Sequence, residues 1–376
     1  MNKKKIVFLT GTRADFGKIK SLIKITQDSD NYEVHIFATG MHMNSLYGST
    51  VDEIKKAGFK NIYTFINHDK IEYMDRTLSK TIDGFSHYIA EIKPNLIVVH
   101  GDRVEAIAGA LVGSLNNILV AHIEGGEISG TIDELIRHSV SKLSHIHLVT
   151  NQEAKRRLLQ LGELESSIFV IGSPDLDLMD SKNLPTLNEA KKYYDIVFDT
   201  YAIAMFHPIT TEYENIKENI KNFVDAILES KLNYILIYPN NDLGSIEILE
   251  EYKRLKNNPN IKIFPSLRFE YFLKLLKNSK FMIGNSSAGI REAPYYHVPS
   301  IDIGTRQKNR SNLDSIIHCD YNKESILKSI NQALKKEIIE IAHEFGNGNS
   351  DKLFFDILSK NKFWNIDCQK QFQELK

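Results

Sequence analysis

Short apolar runs that each break off in a polar or glycine residue recur along the whole chain, and no other feature restricts the fold as much. In the first half they are Ile6 to Leu9, Val34 to Ala38, Leu96 to Val99, Ile118 to Ala121, Ile146 to Val149 and Ile168 to Ile171. In the second half they are Ala202 to Phe206, Tyr234 to Tyr238, Ile261 to Phe264, Phe281 to Ile283 and Ile301 to Ile303. Strands of a parallel sheet read as such runs because helices cover both faces. Segments with helical apolar spacing, such as Phe16 to Ile25 and Arg103 to Leu115, lie between them, so the alternation is that of βα units. The scheme occurs twice, and 376 residues exceed what one core ordinarily serves. Two Rossmann-like, doubly wound α/β domains facing across a cleft are therefore predicted, over residues 1–178 and 179–350. The segment Asp175 to Leu187, with Ser181, Asn183 and Pro185, reads as the linker. A tail over 351–376 carries Phe354, Phe355, Ile357, Leu358 and Trp364 at helical spacing and is predicted to pack on one of the domains.

A formal net charge of −1 argues against a surface for polyanions, so nucleic acid is not an expected partner. The start, Met1 to Lys5 followed by Ile6 to Leu9, has too short an apolar stretch for a signal peptide and reads as a first strand. No stretch approaches the roughly 18 apolar residues of a membrane span. Cys319 and Cys368 form neither a metal spacing nor a disulfide framework. A cytoplasmic protein without metal or membrane attachment is expected.

Candidate chemistry sits where the predicted strands end. His100-Gly101-Asp102-Arg103 and His122-Ile123-Glu124-Gly125-Gly126-Glu127 each follow an apolar run, and ligands of open α/β sheets bind outside the carboxyl ends of the strands. Asp102 and Glu124 are thus expected in one cleft, raising each other's pKa as proton transfer requires. Asp133 either charges a helix start or is a third acid of the cleft. Gly11-Thr12-Arg13-Ala14-Asp15-Phe16-Gly17 opens a helix after the first strand, which suits a phosphate or a plain turn with a surface arginine. In Gly284-Asn285-Ser286-Ser287-Ala288-Gly289-Ile290-Arg291-Glu292 the serines either cap a helix or hold phosphate with the amides, and Glu292, placed within that helix, could accept ribose hydroxyls. His207, at a strand end, is a structural histidine or a partner of a leaving phosphate. Arg306 and Arg310 are exposed loop cations or a phosphate clamp. His138, His145 and His147 lack a metal-ligand companion and read as structural.

Taken together, Gly11-Thr12-Arg13-Ala14-Asp15, Thr39-Gly40-Met41-His42, His100-Gly101-Asp102-Arg103, His122 to Glu127, Phe206-His207-Pro208 and Gly284-Asn285-Ser286-Ser287 resemble the hydrolysing UDP-N-acetylglucosamine 2-epimerases of sialic acid biosynthesis. The resemblance runs in order from about residue 5 to about residue 310. It implies the two-domain GT-B fold, a homodimer or dimer of dimers, and cleavage of UDP-N-acetylglucosamine to UDP and N-acetylmannosamine with no metal or redox cofactor. It implies acid/base roles for Asp102, Glu124 and Asp133, and a catalytic role for His207 near the departing phosphate. Arg13, Arg103, Ser286, Ser287, Glu292 and Arg306 match substrate-binding positions, and His42 matches a cleft residue. Ser286-Ser287-Ala288-Gly289 stands where related non-hydrolysing enzymes tend to have a serine and two glycines, which favours the hydrolysing branch. The same chemistry on UDP- or GDP-N,N'-diacetylbacillosamine, a GT-B glycosyltransferase and an inactive nucleotide-sugar sensor are the competing readings.

Overall fold

Each apolar run becomes a strand of a parallel sheet. The computed structural model describes residues 3–47, 50–68, 73–129, 131–179, 184–311, 313–337 and 345–374. The chain divides into a first unit, Met1–Glu127, Asp133–Lys182 and Glu344–Lys376, and a second, Ile128–Ile132 and Asn183–His343. The first holds β1 (Lys4–Thr10), β2 (Tyr32–Ala38), β3 (Ile62–Thr64), β4 (Leu96–His100), β5 (Leu119–Ile123), β6 (Ile146–Val149) and β7 (Ile168–Val170). The second holds β8 (Ala202–Met205), β9 (Tyr234–Ile237), β10 (Ile261–Phe264), β11 (Met282–Gly284), β12 (Ser300–Ile303) and β13 (Ile316–Cys319). The orders are β3-β2-β1-β4-β5-β6-β7 and β10-β9-β8-β11-β12-β13, so both sheets reverse direction once, at β1/β4 and at β8/β11. Two strands escape the sequence reading, β3 and β13. Both are short edge strands, and β3 is largely exposed, so neither carries a long apolar run.

Helices bury the sheet faces. Phe16, Ile19, Leu22 and Ile23 on the helix Arg13–Gln27 cover Ile6 and Phe8 of β1 in the first unit. In the second, Phe223, Val224 and Ile227 of the helix Ile216–Ser230 pack with Phe206, Tyr234 and Phe281. Gly284 ends β11 at φ +137°, and any Cβ there would overlap the Met205 carbonyl, so only glycine lets β11 close onto β8.

The segment after β7 stays with the first unit: Lys18 Nζ lies 3.4 Å from Asp175, and Ser21 donates to Asp177 at 2.9 Å. Of the expected linker, Ser181 and Asn183 lie outside the described residues, and Leu187 opens the helix Leu187–Tyr193 behind a Thr186/Glu189 capping box. The tail returns to the first unit. Asp177 accepts the Ser350 and Asp351 N–H groups at 2.7 and 2.9 Å, capping the helix Ser350–Leu358. Fully buried Phe354 meets Phe8 edge-on at 6.3 Å, while Trp364 stacks on Tyr32 at 6.1 Å. Lys370 closes the far end of the helix Ile132–Leu143 by donating to the Lys142 and Ser144 carbonyls at 2.8 and 2.7 Å. Among the described residues no helix is long and apolar enough to cross a membrane.

Because Phe354 fills the first unit's core from the far end of the chain, Phe354→Ala is expected to destabilise that unit by about 3–5 kcal/mol. Chemical denaturation followed by intrinsic fluorescence measures it, and a midpoint like that of the native chain would contradict this packing.

Candidate active site

In the first unit the loops after β1, β4, β5 and β7 supply the polar groups. Thr12 caps the helix Arg13–Gln27 by accepting the Asp15 N–H at 3.0 Å, and the Gly11 N–H donates to Asp15 at 3.0 Å. Arg13 is braced by Glu53 at 3.1 Å. His42 is fully buried, its ring bridging the hydroxyls of Thr10 at 3.1 Å and Thr50 at 2.7 Å, and burial pushes its pKa down to about 4. It therefore braces the turn after β1 from inside the unit. Glu105, buried with its pKa raised by burial, packs against Gly11 and Gly40, where a Cβ would strike its carboxyl group. Arg103 begins the helix Val104–Leu115 as its N-cap residue.

The carboxylates of Asp102, Glu124 and Glu127 are met by shared donors and cations, because an uncompensated buried carboxylate is costly. Arg137 forms an ion pair with Asp102, donates to Glu127 at 3.2 Å and reaches the Glu124 carbonyl at 3.4 Å. Thr150 donates to the other Glu127 oxygen at 3.0 Å. Ser173 donates to Glu124 Oε1 at 2.5 Å, and His100 stands 3.3 Å from Oε2. Glu124 itself has φ +64°, a left-handed conformation that non-glycine residues avoid and that clusters at functional sites. Asp133 is buried on the helix Ile132–Leu143, four residues before Arg137 and hence on the same face. Behind these groups His122 is fully buried between Ser141 Oγ at 3.0 Å and the Gly101 carbonyl at 2.8 Å, and burial pushes its pKa down to about 3. Its Nε2–H holds Gly101, and with it the adjacent Asp102, in place. His145 and His147 are tied into the first unit, to Cys368 O at 2.9 Å and to Glu163 at 2.9 Å.

The second unit gathers its polar loops at the same edge of its sheet. The His207 N–H donates to Asn285 Oδ1 at 2.6 Å while Asn285 Nδ2 donates back to the His207 carbonyl at 2.8 Å, locking the ends of β8 and β11 together. The Asn240 N–H donates to His207 Nδ1 at 3.0 Å, so a neutral ring carries its proton on Nε2. The Asn285 carbonyl accepts from Gln307 at 2.9 Å and Arg306 at 3.3 Å, and Arg310 holds Gln307 at 2.8 Å. The expected helix after Ser286 is instead a 3₁₀ turn, Ser287–Gly289, followed by the separate helix Glu292–Tyr295. Ser286 caps the turn by accepting the Ala288 N–H at 3.3 Å. Glu292 thus stands at the first position of the later helix, where it is buried.

Thus Asp102 and Glu124 are linked through Arg137, with Asp133 on the same helix, in one unit; His207, Ser286, Ser287 and Arg306 adjoin Asn285 in the other. Sequence reasoning assigned no role to Arg137, Glu127, Ser173, Asn285 or Gln307. Arg137 was within reach, since a cation four residues after Asp133 shares its helix face, and Glu127 and Asn285 lie inside motifs already singled out; Ser173 and Gln307 are recruited by loops distant in sequence.

Two parallel sheets of one strand order, each with its polar loops at the carboxyl edge, define a protein of two Rossmann-type units. The chain belongs to the UDP-N-acetylglucosamine 2-epimerase family, whose pattern it matches over residues 24–359. It is 48% identical over 375 residues to a UDP-N-acetylglucosamine 2-epimerase of Neisseria meningitidis, covering 99% of each chain. It is 34% identical to a hydrolysing UDP-N,N'-diacetylbacillosamine 2-epimerase of Legionella pneumophila, over 94% of this chain and 95% of that one. Its fold is similar to that of the Methanocaldococcus jannaschii UDP-GlcNAc 2-epimerase solved with UDP-GlcNAc and UDP, with a TM-score of 0.82, 25% identity and coverage of 94% and 99%.

His42 and His122 fold as neutral rings with depressed pKa values, so the unfolded chain binds more protons once the pH falls below about 6.5. Their stabilisation is complete above that pH and is lost as the pH drops toward about 4 and about 3. At pH 5 each is expected to cost about 2 kcal/mol. Denaturation at pH 7.5 and pH 5 should show a pH dependence shallower by that amount in His122→Asn; an unchanged slope would contradict the neutral buried ring.

Proposed function

We propose that this chain is a hydrolysing UDP-N-acetylglucosamine 2-epimerase that converts UDP-N-acetylglucosamine and water to N-acetylmannosamine and UDP, supplying sialic acid synthesis. The gathering of Asp102, Glu124, Asp133 and Arg137 at the carboxyl edge of the first sheet carries this reading. The names of the Neisseria and Legionella relatives support it. The resemblance adds a homodimer or dimer of dimers, and the composition of the chain a cytoplasmic setting.

The C2 hydrogen of the sugar has no neighbouring carbonyl to acidify it, so loss of UDP must lead. As the C1–O bond lengthens, positive charge grows at C1 and the C2 proton becomes labile. A carboxylate removes that proton on the face opposite the leaving group, the C–H electron pair becomes the C1=C2 bond of 2-acetamidoglucal, and UDP departs with the C1–O pair. Water then adds to C1 while a carboxylic acid returns a proton to C2 from the other face, giving the manno configuration. The carboxylates of Asp102, Glu124 and Asp133 take the proton transfers. Ser286, Ser287, Arg306 and the Nε2–H of His207 bind and stabilise the diphosphate, Glu292 the ribose, and Arg13 and Arg103 further substrate oxygens. His42 serves by bracing Thr10.

Single acid/base groups contribute about 10² to 10⁴ in rate, so Asp102→Asn and Glu124→Gln should each lose at least a hundredfold in kcat while keeping native circular dichroism. Wild-type turnover in both folded variants would refute the assignment. NMR of the enzyme in D₂O with UDP-N-acetylglucosamine should show free N-acetylmannosamine carrying deuterium at C2. The Legionella relative's name favours one second reading, the same chemistry on UDP-N,N'-diacetylbacillosamine, and turnover of that sugar nucleotide alone would select it.

A further inference from the structure

Three ionisable groups from separate elements form a row in the first unit. Asp15 comes from the helix Arg13–Gln27, His100 from the end of β4 and Glu124 from the loop after β5. His100 Nδ1 lies 2.9 Å from Asp15 Oδ1, and Nε2 lies 3.3 Å from Glu124 Oε2. The His100 ring is 8% exposed and the Glu124 side chain 4%. Both contacts are at ion-pair distance, and a ring with an anion on each side is favoured as the cation. Burial opposes charge on His100, but Glu124 and Asp15 outweigh it and push the pKa up to about 9. Burial likewise opposes charge on Asp15, whose pKa is nonetheless lowered by His100.

The other charged and titratable neighbours do not take over this role. The Arg137 guanidinium reaches the Glu124 backbone carbonyl and is also engaged by Asp102 and Glu127. His122, beside both His100 and Glu124, is held neutral by burial, and Glu105, facing Asp15, is driven towards its neutral form by burial. On the far side of Glu124 stands the uncharged Ser173 hydroxyl.

We propose that His100 is a positioning residue: as an imidazolium between Asp15 and Glu124 it keeps Glu124 ionised and oriented, committing that carboxylate to accept the C2 proton during departure of UDP. In that step Glu124 becomes a neutral acid, the C2–H pair forms the C1=C2 bond, and the C1–O pair leaves with UDP. The inference rests on the epimerase reading for the reaction and on the Asp15–His100–Glu124 row for the charge.

Two measurements test it. Nitrogen-15 NMR of the imidazole needs no turnover. At pH 7.5 the His100 ring of the wild-type chain should be protonated on both nitrogens, and in Glu124→Gln its midpoint should fall by one pH unit or more. A neutral ring in the wild type, or a midpoint unmoved by Glu124→Gln, overturns the proposal. The second measurement is the pH profile of kcat for His100→Asn. Its acid limb should move up by at least one unit, so that the variant is tenfold or more slower at pH 6 but within about threefold of wild type at pH 8.5, with KM little changed. A uniform loss across pH, or no loss, would make His100 merely structural and overturn the proposal. If His100→Asn does not fold, Asp15→Asn with the same NMR readout decides, since losing one flanking anion should lower the midpoint. A wild-type enzyme inert toward every UDP-sugar, yet with a doubly protonated His100, would sink the epimerase reading and the proton transfer assigned to Glu124, while leaving the charge on the row in place.

Discussion

The reversal of strand order in each sheet is the constraint on which the rest depends. Where β1 gives way to β4, and β8 to β11, the following loops run in opposite directions and leave room outside the strand ends. Backbone N–H groups and side chains projecting there need not satisfy the sheet itself. The turn Thr10–Arg13, the loop bearing Asp102 and the His207–Asn285 pair leave from such ends, and the loop bearing Glu124 leaves the neighbouring β5. A residue shift in register would send them elsewhere, and that register is set by the buried apolar runs.

Gathering acids at a buried edge creates an electrostatic problem that the first unit solves by pairing. Asp15 and Glu124 share His100; Asp102 and Glu127 share Arg137. Removing one partner of such a set leaves a buried charge uncompensated, which costs far more than an exposed ion pair contributes. The carboxylates are therefore held by elements remote from one another along the chain, and the site's geometry and the unit's stability are not separable. A similar device works behind the site. Lys370 reaches buried Glu163 at 2.5 Å, Glu163 holds His147, and the same lysine closes the helix that bears Asp133 and Arg137. The last residues of the chain thus help to fix the helix that carries site groups.

The placement of His42 shows how a motif can be legible while its role is not. The resemblance matched Thr39-Gly40-Met41-His42 and made His42 a cleft residue, and the ring lies buried beside the turn after β1. Whether it faces outward or inward depends on two hydroxyls, Thr10 and Thr50, whose approach follows from packing. The serine segment behaves alike. Small residues and hydroxyls after β11 were evident, but Ser286 capping a single 3₁₀ turn, with a new helix at Glu292, follows from local hydrogen bonds that spacing does not encode.

By itself the amino-acid order determined the alternation of strand and helix, the repetition of that scheme, and which loops carry acids, histidines and serines. These are properties of local periodicity, and burial on both faces of a parallel sheet forces the pattern into the residues. Only tertiary structure decided that Arg137 pairs with Asp102, that His100 stands between Asp15 and Glu124, that Asn285 fastens His207, and that Phe354 belongs to the first unit's core. The edge strands β3 and β13 were likewise visible only once paired. In each case the deciding quantity is a distance between groups remote in sequence, set by how the sheets and helices close together, and one-dimensional spacing carries no record of it.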